Sequence, residues 1–428
     1  MKRILVFLGL FSVLMWGLLH LPLAERNNTM PESMLALGFV LLVAFLFGKI
    51  ALRFNLPQIT GYLLAGIVFG PFVLGTISEQ SVLNLQLIDK IALGLIALTA
   101  GGEFRYRTMR RQFKTINFVI LFQILFVLPG FILFFVFLGG QVSFLEHSST
   151  SILLGIALII GSLAVATSPA TTIAIITETN ARGNFTDFVL GVTIFKDIVV
   201  VLLFSVALSV ARPLIVPGEM LHFHYILEVL WELFLSMVVG AAAGALILLY
   251  LKYVRTQTAL FLLGFVLFGI DVSVMLHVEL VLMFMVAGFL VQNFSDEGHQ
   301  LIEAIEKGSL PIYVTFFAIA GASLDLPVFY GNLSLAITIV VLRMVTTFAG
   351  TYVGGRLTGS TAEVQKLGWM GFVGQAGLTL GLVSLVSTTF PGVVGTSIRT
   401  LVIASVAMNQ IVGPVLFRYS LIKTGEGR

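Results

Sequence analysis

Cysteine is absent from the 428 residues, which excludes disulfides, thiol catalysis and cysteine-ligated metal or iron–sulfur sites. Charge is scarce. Only 11% of residues are Asp, Glu, Lys or Arg, against about 25% in a soluble chain, while 58% are apolar and mean hydropathy is +1.06. A water-facing surface of ordinary size is thereby excluded. The 24 basic and 21 acidic residues leave +3, too small and too dispersed for a nucleic-acid footprint. No glycine-rich nucleotide loop, H-E-x-x-H or G-x-S-x-G motif occurs, so an enzyme site is not evident and neither an ATPase nor an organic cofactor is implied. His222 and His224, spaced i, i+2 with no third ligand in view, fall short of a metal site. Glycine (42) and phenylalanine (37) are abundant, which fits tightly packed membrane helices.

A hydrocarbon core of about 30 Å takes roughly 20 apolar residues per helix. Fourteen such runs lie between polar or helix-breaking clusters, at about 4–23, 33–53, 58–76, 84–102, 115–139, 151–177, 187–211, 228–253, 257–274, 277–294, 309–326, 332–356, 364–388 and 396–418. The expected fold class is an all-α membrane protein with 13 to 14 transmembrane helices. The lower number applies if residues 1–24 are a signal peptide, as Lys2 and Arg3 before an apolar stretch allow; Pro22 makes a poor cleavage site after Ala24, and the run is read as a helix. Only eleven residues follow Phe417, so no appended soluble domain is expected. Sorting Lys and Arg onto alternating sides puts 18 on one side and four, Arg26, Lys90, Arg212 and Arg399, on the other. The richer side, which carries the C-terminus, is therefore cytoplasmic. Arg105, Arg107, Arg110, Arg111 and Lys114 anchor that topology, with binding of anionic lipid as the alternative reading.

Two cations remain inside the spans. Lys196 and its neighbour Asp197 lie nine and ten residues from the cytoplasmic end of 187–211, about 14 to 15 Å deep, and Arg343 lies eleven residues from the outer end of 332–356, about 17 Å deep. An ionised side chain at the bilayer centre costs at least about 2.5–3.5 kcal/mol, so these three need partners or a use. A static Asp197–Arg343 pair locking the bundle is the plainest reading.

Two backbone features favour a use. Thr167-Ser168-Pro169 falls some ten residues from the cytoplasmic end of 151–177, and a proline lacks the amide hydrogen and clashes with the preceding turn, so this helix is expected to be interrupted. Gly374-Gln375-Ala376-Gly377, ten to thirteen residues into 364–388, predicts a second break, with a simple kink and a close-packed glycine pair as the bland alternatives. Broken helices at this depth expose carbonyls and half-helix dipoles that can bind ions. The five spans from 58 to 211 run opposite to the five from 277 to 418, which predicts inverted five-helix repeats with two crossing discontinuous helices, as in secondary transporters. Gly240/Gly244 and Gly350/Gly354 have the spacing of close helix packing. Glu103 reads as an interfacial ion-pair partner of Arg105 and Arg107. Asp271 and Glu279, near the outer ends of their spans, read as residues of a solvated vestibule.

LPQITGYLLAGIVFGP (56–71), VAGFLVQN (286–293) and PIYVTFFAIAGASLDL (311–326) resemble the second monovalent cation:proton antiporter family, which includes bacterial sodium/proton antiporters and the membrane parts of potassium efflux systems. The likeness runs from about 33 to 420. It implies ion carriage by the acid at Asp197, a compensating base at Arg343, two crossing breaks, a homodimer, elevator-like motion and a bacterial inner-membrane location. It further implies an N-terminal helix or signal peptide (1–32), dimerisation-type helices (33–114 and 257–331), core transport helices (115–211 and 332–428) and a linking helix (212–256).

One departure matters: the family usually has Asp, Asn or Gln before the carrier aspartate, and this chain has Lys196. With Lys196, Arg343 and Asp197 all charged the site sums to +1, which disfavours a bare Na⁺ or K⁺. Taking an ammonium out of water favours its neutral form, so Lys196 can release a proton when a cation arrives. The competing readings are a permanent structural cation or an anionic substrate.

The function expected is exchange of a monovalent cation for protons across the bilayer. Asp197 would hold H⁺ and the cation alternately, Lys196 would take part in proton release, and Thr167, Ser168 and Gln375 would supply oxygens. Arg343 would neutralise half-helix ends and keep Asp197 acidic, Pro169, Gly374 and Gly377 would break the helices, and no metal would be needed beyond the transported ion. The alternatives are potassium efflux gated by a separate regulatory subunit and a non-transporting scaffold or sensor.

Overall fold

The computed structural model describes residues 8–9, 11–13, 15, 29–106, 110–139, 145, 148–216, 224–324, 326–327, 333–375, 377–390 and 393–427. Most of the run 4–23, the proposed cleavage point, His222 and the side chain of His224 lie outside the described residues. All regular elements among the described residues are helical. The principal ones are α1 (Thr29–Arg53), α2 (Gln58–Phe69), α3 (Glu79–Asn84), α4 (Gln86–Glu103), α5 (Phe113–Leu138), α6 (Thr150–Val165), α7 (Pro169–Thr179) and α8 (Asn184–Ile215). They continue as α9 (His224–Tyr253), α10 (Thr258–Leu276), α11 (Leu280–Phe294), α12 (Gly298–Ala322), α13 (Leu333–Leu357), α14 (Ala362–Leu367), α15 (Gly377–Thr389) and α16 (Val393–Lys423). Short 3₁₀ turns, Arg110–Gln112 and Gly368–Phe372, precede α5 and follow α14.

Eight helical stretches among the described residues are long and apolar enough to cross a membrane, and α2 and α11 are shorter apolar helices. The chain is a multi-pass membrane protein. Several boundaries differ from the hydropathy reading for local reasons. The run 58–76 is helical only to Phe69, because Gly70 takes an extended conformation ahead of Pro71, a residue that disfavours the α region before it. The run 309–326 starts eleven residues earlier, at Gly298, since the polar turns of α12 continue the same helix below the apolar part.

Buried apolar residues form two cores. One gathers α1, α2, α4 and α9–α12 around α7 and the first half of α8; the other gathers α6, α13, α15 and the outer halves of α5 and α8. Where they meet the chain turns polar. The boundary falls between Ile120 and Val127 on α5, with Gln123 between, and between Ile194 and Val200 on α8, with Lys196 and Asp197 between. It falls likewise at Thr167-Ser168, at Gln375 and at Asn409-Gln410 on α16. A polar layer therefore crosses the bundle at mid-depth, and its members bond across helices, as in the 2.8 Å contact from Gln123 Nε2 to Thr351 Oγ1.

Both G-x-x-x-G pairs are helix contacts: Gly240 and Gly244 press α9 onto α11, and Gly350 and Gly354 press α13 onto α5. A Cβ on Gly354 would stand 2.8 Å from the Val119 Cα. At the base of α8 the preceding residue is Gly183, which has no side chain to cap the helix. Glu426 performs this from the far end of the chain, accepting hydrogen bonds from Phe185 N (2.9 Å), Thr186 N (2.7 Å) and Thr186 Oγ1 (2.7 Å). Glu426→Ala is expected to cost about 1 kcal/mol, the worth of an N-cap, read as a lower melting temperature of the detergent-solubilised protein.

Candidate functional site: two helix breaks over a buried carboxylate

α6 ends at Val165 and α7 starts at Pro169, leaving Ala166, Thr167 and Ser168 out of helical conformation. The sequence dictates this locally. Proline at the first helical position needs no amide partner, and the Ser168 side chain caps the new helix by accepting from Thr171 N at 3.2 Å. The second break follows the 3₁₀ turn, with Val373, Gly374 and Gln375 non-helical and α15 starting at Gly377. Here glycine is needed for room: a Cβ on Gly413 of α16 would lie 2.6 Å from the Gly374 Cα. The two breaks touch, Ser168 N donating to Gly374 O at 2.9 Å.

Arg343 of α13 is 2% exposed and serves both breaks. Its Nε donates to Ala164 O (2.7 Å), Nη1 to Val373 O (2.7 Å), and Nη2 to Ala166 O (2.6 Å) and Phe372 O (2.8 Å). These are the orphan carbonyls at the C-terminal ends of α6 and of the 3₁₀ turn, where a helix carries partial negative charge. The guanidinium is thus engaged by backbone and not by Asp197, so the locking ion pair of the plainest sequence reading is not what the structure contains.

Gln375 is likewise occupied. Its Nε2 donates to Leu163 O (2.9 Å) and its Oε1 accepts from Asn409 Nδ2 (2.8 Å), which ties the second break to α6 and α16. Lys196, 1% exposed, turns away from its neighbour and sets its Nζ 5.3 Å from the centre of the Phe372 ring.

Asp197 faces the other way, into a cavity of about 440 Å³. Thr167, Ser168 and Pro169 of the first break and Glu279 line the same cavity, whereas Lys196, Arg343 and Gln375 do not. Asp197 is 8% exposed and its Oδ1 has no hydrogen-bond partner; Thr167 Oγ1, on a residue 1% exposed, has none either. The three charges summed from sequence are unevenly placed: Lys196 and Arg343 line no part of this cavity, whose wall holds Asp197, Glu279, Thr167, Ser168 and the N-terminal end of α7. The one lysine in its lining, Lys90, is exposed.

The cavity runs toward the Lys90 end of α4 and the Ser273 end of α10, the side poor in Lys and Arg. Ile198, Leu282 and Met285 also line a second, wholly apolar cavity of about 240 Å³ toward the opposite ends of these helices. There Phe104 meets Phe195 (ring centres 5.7 Å apart) and Phe289 (5.6 Å), and Phe113 meets Phe195 (5.0 Å). These four rings line that second cavity, on the Lys- and Arg-rich side of Asp197. Nearby, the Glu178 carboxylate of α7 accepts from Gln58 N at 2.8 and 2.9 Å, fastening the break-bearing helix to α2.

Asn409 is a member of the layer to which the sequence reading gave no part, while Glu279, read as a vestibule residue, lines the cavity with Asp197. A signal for the first existed: Asn409-Gln410 is an intramembrane amide pair within the run 396–418, the same kind of cue that singled out Gln375.

Two broken helices whose breaks touch beside a buried acid are a feature of secondary transporters. Residues 38–421 match the family described as sodium/hydrogen exchanger, transmembrane. The chain belongs to that family of monovalent cation:proton antiporters. It is 25% identical over 335 residues to the probable Na⁺/H⁺ antiporter GerT of Bacillus cereus, spanning 75% of this chain and 81% of that one. It is 24% identical over 405 residues to the Na⁺/H⁺-K⁺ antiporter GerN of the same organism, spanning 91% and 96%. The fold is similar to the sodium proton antiporter MjNhaP1 of Methanocaldococcus jannaschii, with a TM-score of 0.66, 18% identity and coverage of 92% of this chain and 96% of the other.

Proposed function

We propose that this protein exchanges Na⁺ or K⁺ for protons by alternating access, with Asp197 holding the proton and the cation in turn. The observation that carries the reading is the unpartnered carboxylate oxygen of a buried acid at a cavity wall, beside an unpartnered hydroxyl, while the nearby guanidinium is spent on carbonyls. A desolvated carboxylate without a partner is costly, and a bound proton or cation relieves that cost. Competition for one acid couples the two ions.

In this reading the cavity is the outward-open path, the apolar aromatic lining of the second cavity and the Glu178–Gln58 contact bar ions from the cytoplasmic side, and both must yield for the opposite state. Thr167 and Ser168 supply oxygens to the ion, and Gln375 acts with Asn409 as a clasp between the breaks. The wider frame is the one expected from the sequence: inverted five-helix repeats, dimerisation-type helices apart from the core helices, a homodimer in the bacterial inner membrane and a cytoplasmic C-terminus. Either Na⁺ or K⁺ is compatible with the site, as the name of the Na⁺/H⁺-K⁺ antiporter GerN is with both. Purified protein in proteoliposomes with an internal pH dye tests the proposal. Addition of Na⁺ or K⁺ to one side should drive protons to that side; no cation-dependent proton movement over Na⁺, K⁺ and Li⁺ would overturn it.

Lys196 is proposed as a structural cation, complementing the C-terminal end of the 3₁₀ turn through Phe372, outside the ion path. Lys196→Gln should therefore leave the cation-to-proton coupling and the apparent cation KM within about twofold of wild type, while lowering stability by about 2 kcal/mol for a desolvated cation–π contact. A changed coupling ratio would restore the proton-release reading in its place.

A further inference from the structure

We infer that Glu279 is a second cation ligand, a staging site at the outer mouth of the cavity that receives the ion before Asp197 does. The inference rests on the antiporter reading above. Glu279 lies at the end of the loop between α10 and α11 and is held from two sides: its amide donates to Ser236 Oγ of α9 at 2.8 Å, and its carboxylate accepts from Leu282 N as the cap of α11. A carboxylate so fixed cannot swing away, and the N-terminal end of α11 behind it offsets part of the cost of burying it. It lines the same 440 Å³ cavity as Asp197.

Capping alone would explain a carboxylate on the surface of α11. It does not explain one on the wall of the transport cavity, which also holds the buried Thr167, whose Oγ1 has no hydrogen-bond partner. Two fixed negative charges along one low-dielectric cleft focus the field and raise the local cation concentration. Conduction paths built on acidic side chains use several modest sites in series, so that an ion can both enter and leave. The opposing charge in the lining, Lys90, stands exposed at the rim, where water and salt screen it; Glu279 and Asp197 lie inward of it.

Serine and aspartate both cap helices, so they separate the two roles of this residue. Apparent KM values for Na⁺ and K⁺ would be measured on full-length protein in right-side-out and inside-out membrane vesicles, with the cation added to the outer or the cytoplasmic face. Glu279→Ser should raise the outer-face KM about tenfold, the scale of electrostatic focusing in a cleft, with an unchanged maximal rate and an unchanged cytoplasmic-face KM. Glu279→Asp should stay close to wild type. An unchanged outer-face KM in the serine variant, or equal changes on both faces, would overturn the staging site while leaving the antiporter reading intact. Wild-type vesicles without cation-coupled proton movement would overturn that reading and the staging site with it.

Discussion

Asp197→Asn is expected to reduce cation-dependent proton flux to background while the protein inserts, purifies and melts at or above the wild-type temperature. Asparagine keeps the volume and one carbonyl oxygen but removes the titratable proton and the charge, so neither of the competing ions has a reason to bind. Stability should be kept because nothing in the structure depends on that charge: Asp197 Oδ1 has no hydrogen-bond partner, and Arg343 is satisfied by Ala164, Ala166, Phe372 and Val373. Removing an ionised group from mid-membrane even relieves a cost of about 2.5–3.5 kcal/mol. A scaffold built on an Asp197–Arg343 lock makes the opposite forecast, a fall in melting temperature of the size that follows breaking a buried pair, about 3–5 kcal/mol. Flux assays in proteoliposomes and melting followed by size-exclusion fluorescence decide the matter together. Wild-type flux in the variant, or its unfolding, would remove Asp197 from the role given to it here.

What could be read from the sequence was set by period and depth. Apolar runs of membrane length gave most of the helices, and a proline following Thr167-Ser168, or two glycines around Gln375, marked where hydrogen bonding could not continue. The depth of Lys196, Asp197 and Arg343 followed from counting residues at 1.5 Å each. What could not be read was direction around the helix axis. Adjacent residues diverge by about 100°, and that step around the axis sets Asp197 on the cavity wall and the Lys196 Nζ over the Phe372 ring. Partner choice was equally hidden: that Arg343 reaches four carbonyls, and that the Gln375 amide is closed by Asn409, depends on residues 29 to 179 apart in sequence. The Glu426 cap on α8 is a still longer reach, 240 residues from Thr186. Such pairings leave no periodic trace.

Arg343→Met is expected to be the most damaging single substitution in the layer. Methionine fills much of the volume and keeps the apolar stem, but four buried carbonyls lose their charged donor. At about 1–3 kcal/mol for each acceptor left unsatisfied, even partial rehydration from the neighbouring cavity leaves a loss of several kcal/mol, a large share of any domain's stability. The breaks themselves are at stake. With the carbonyl ends of α6 and the 3₁₀ turn unneutralised, both half-helix dipoles point their negative ends at one another across the gap bridged by Ser168 N and Gly374 O. Arg343→Lys should be intermediate, because an ammonium offers three donors from one point where the guanidinium spreads its donors over a planar fork matched to carbonyls on two chain segments. The expected order in melting temperature is wild type, then Lys, then Met, with flux following the same order. A double variant with Asp197→Asn supplies the sharper test. If Arg343 acts through the backbone, the two stability changes add within about 0.5 kcal/mol, as for residues with no shared partner. If it acts through Asp197, the asparagine rescues part of the methionine loss. Rescue, or an Arg343→Met protein that melts and transports like wild type, would show the carbonyl clamp to be incidental.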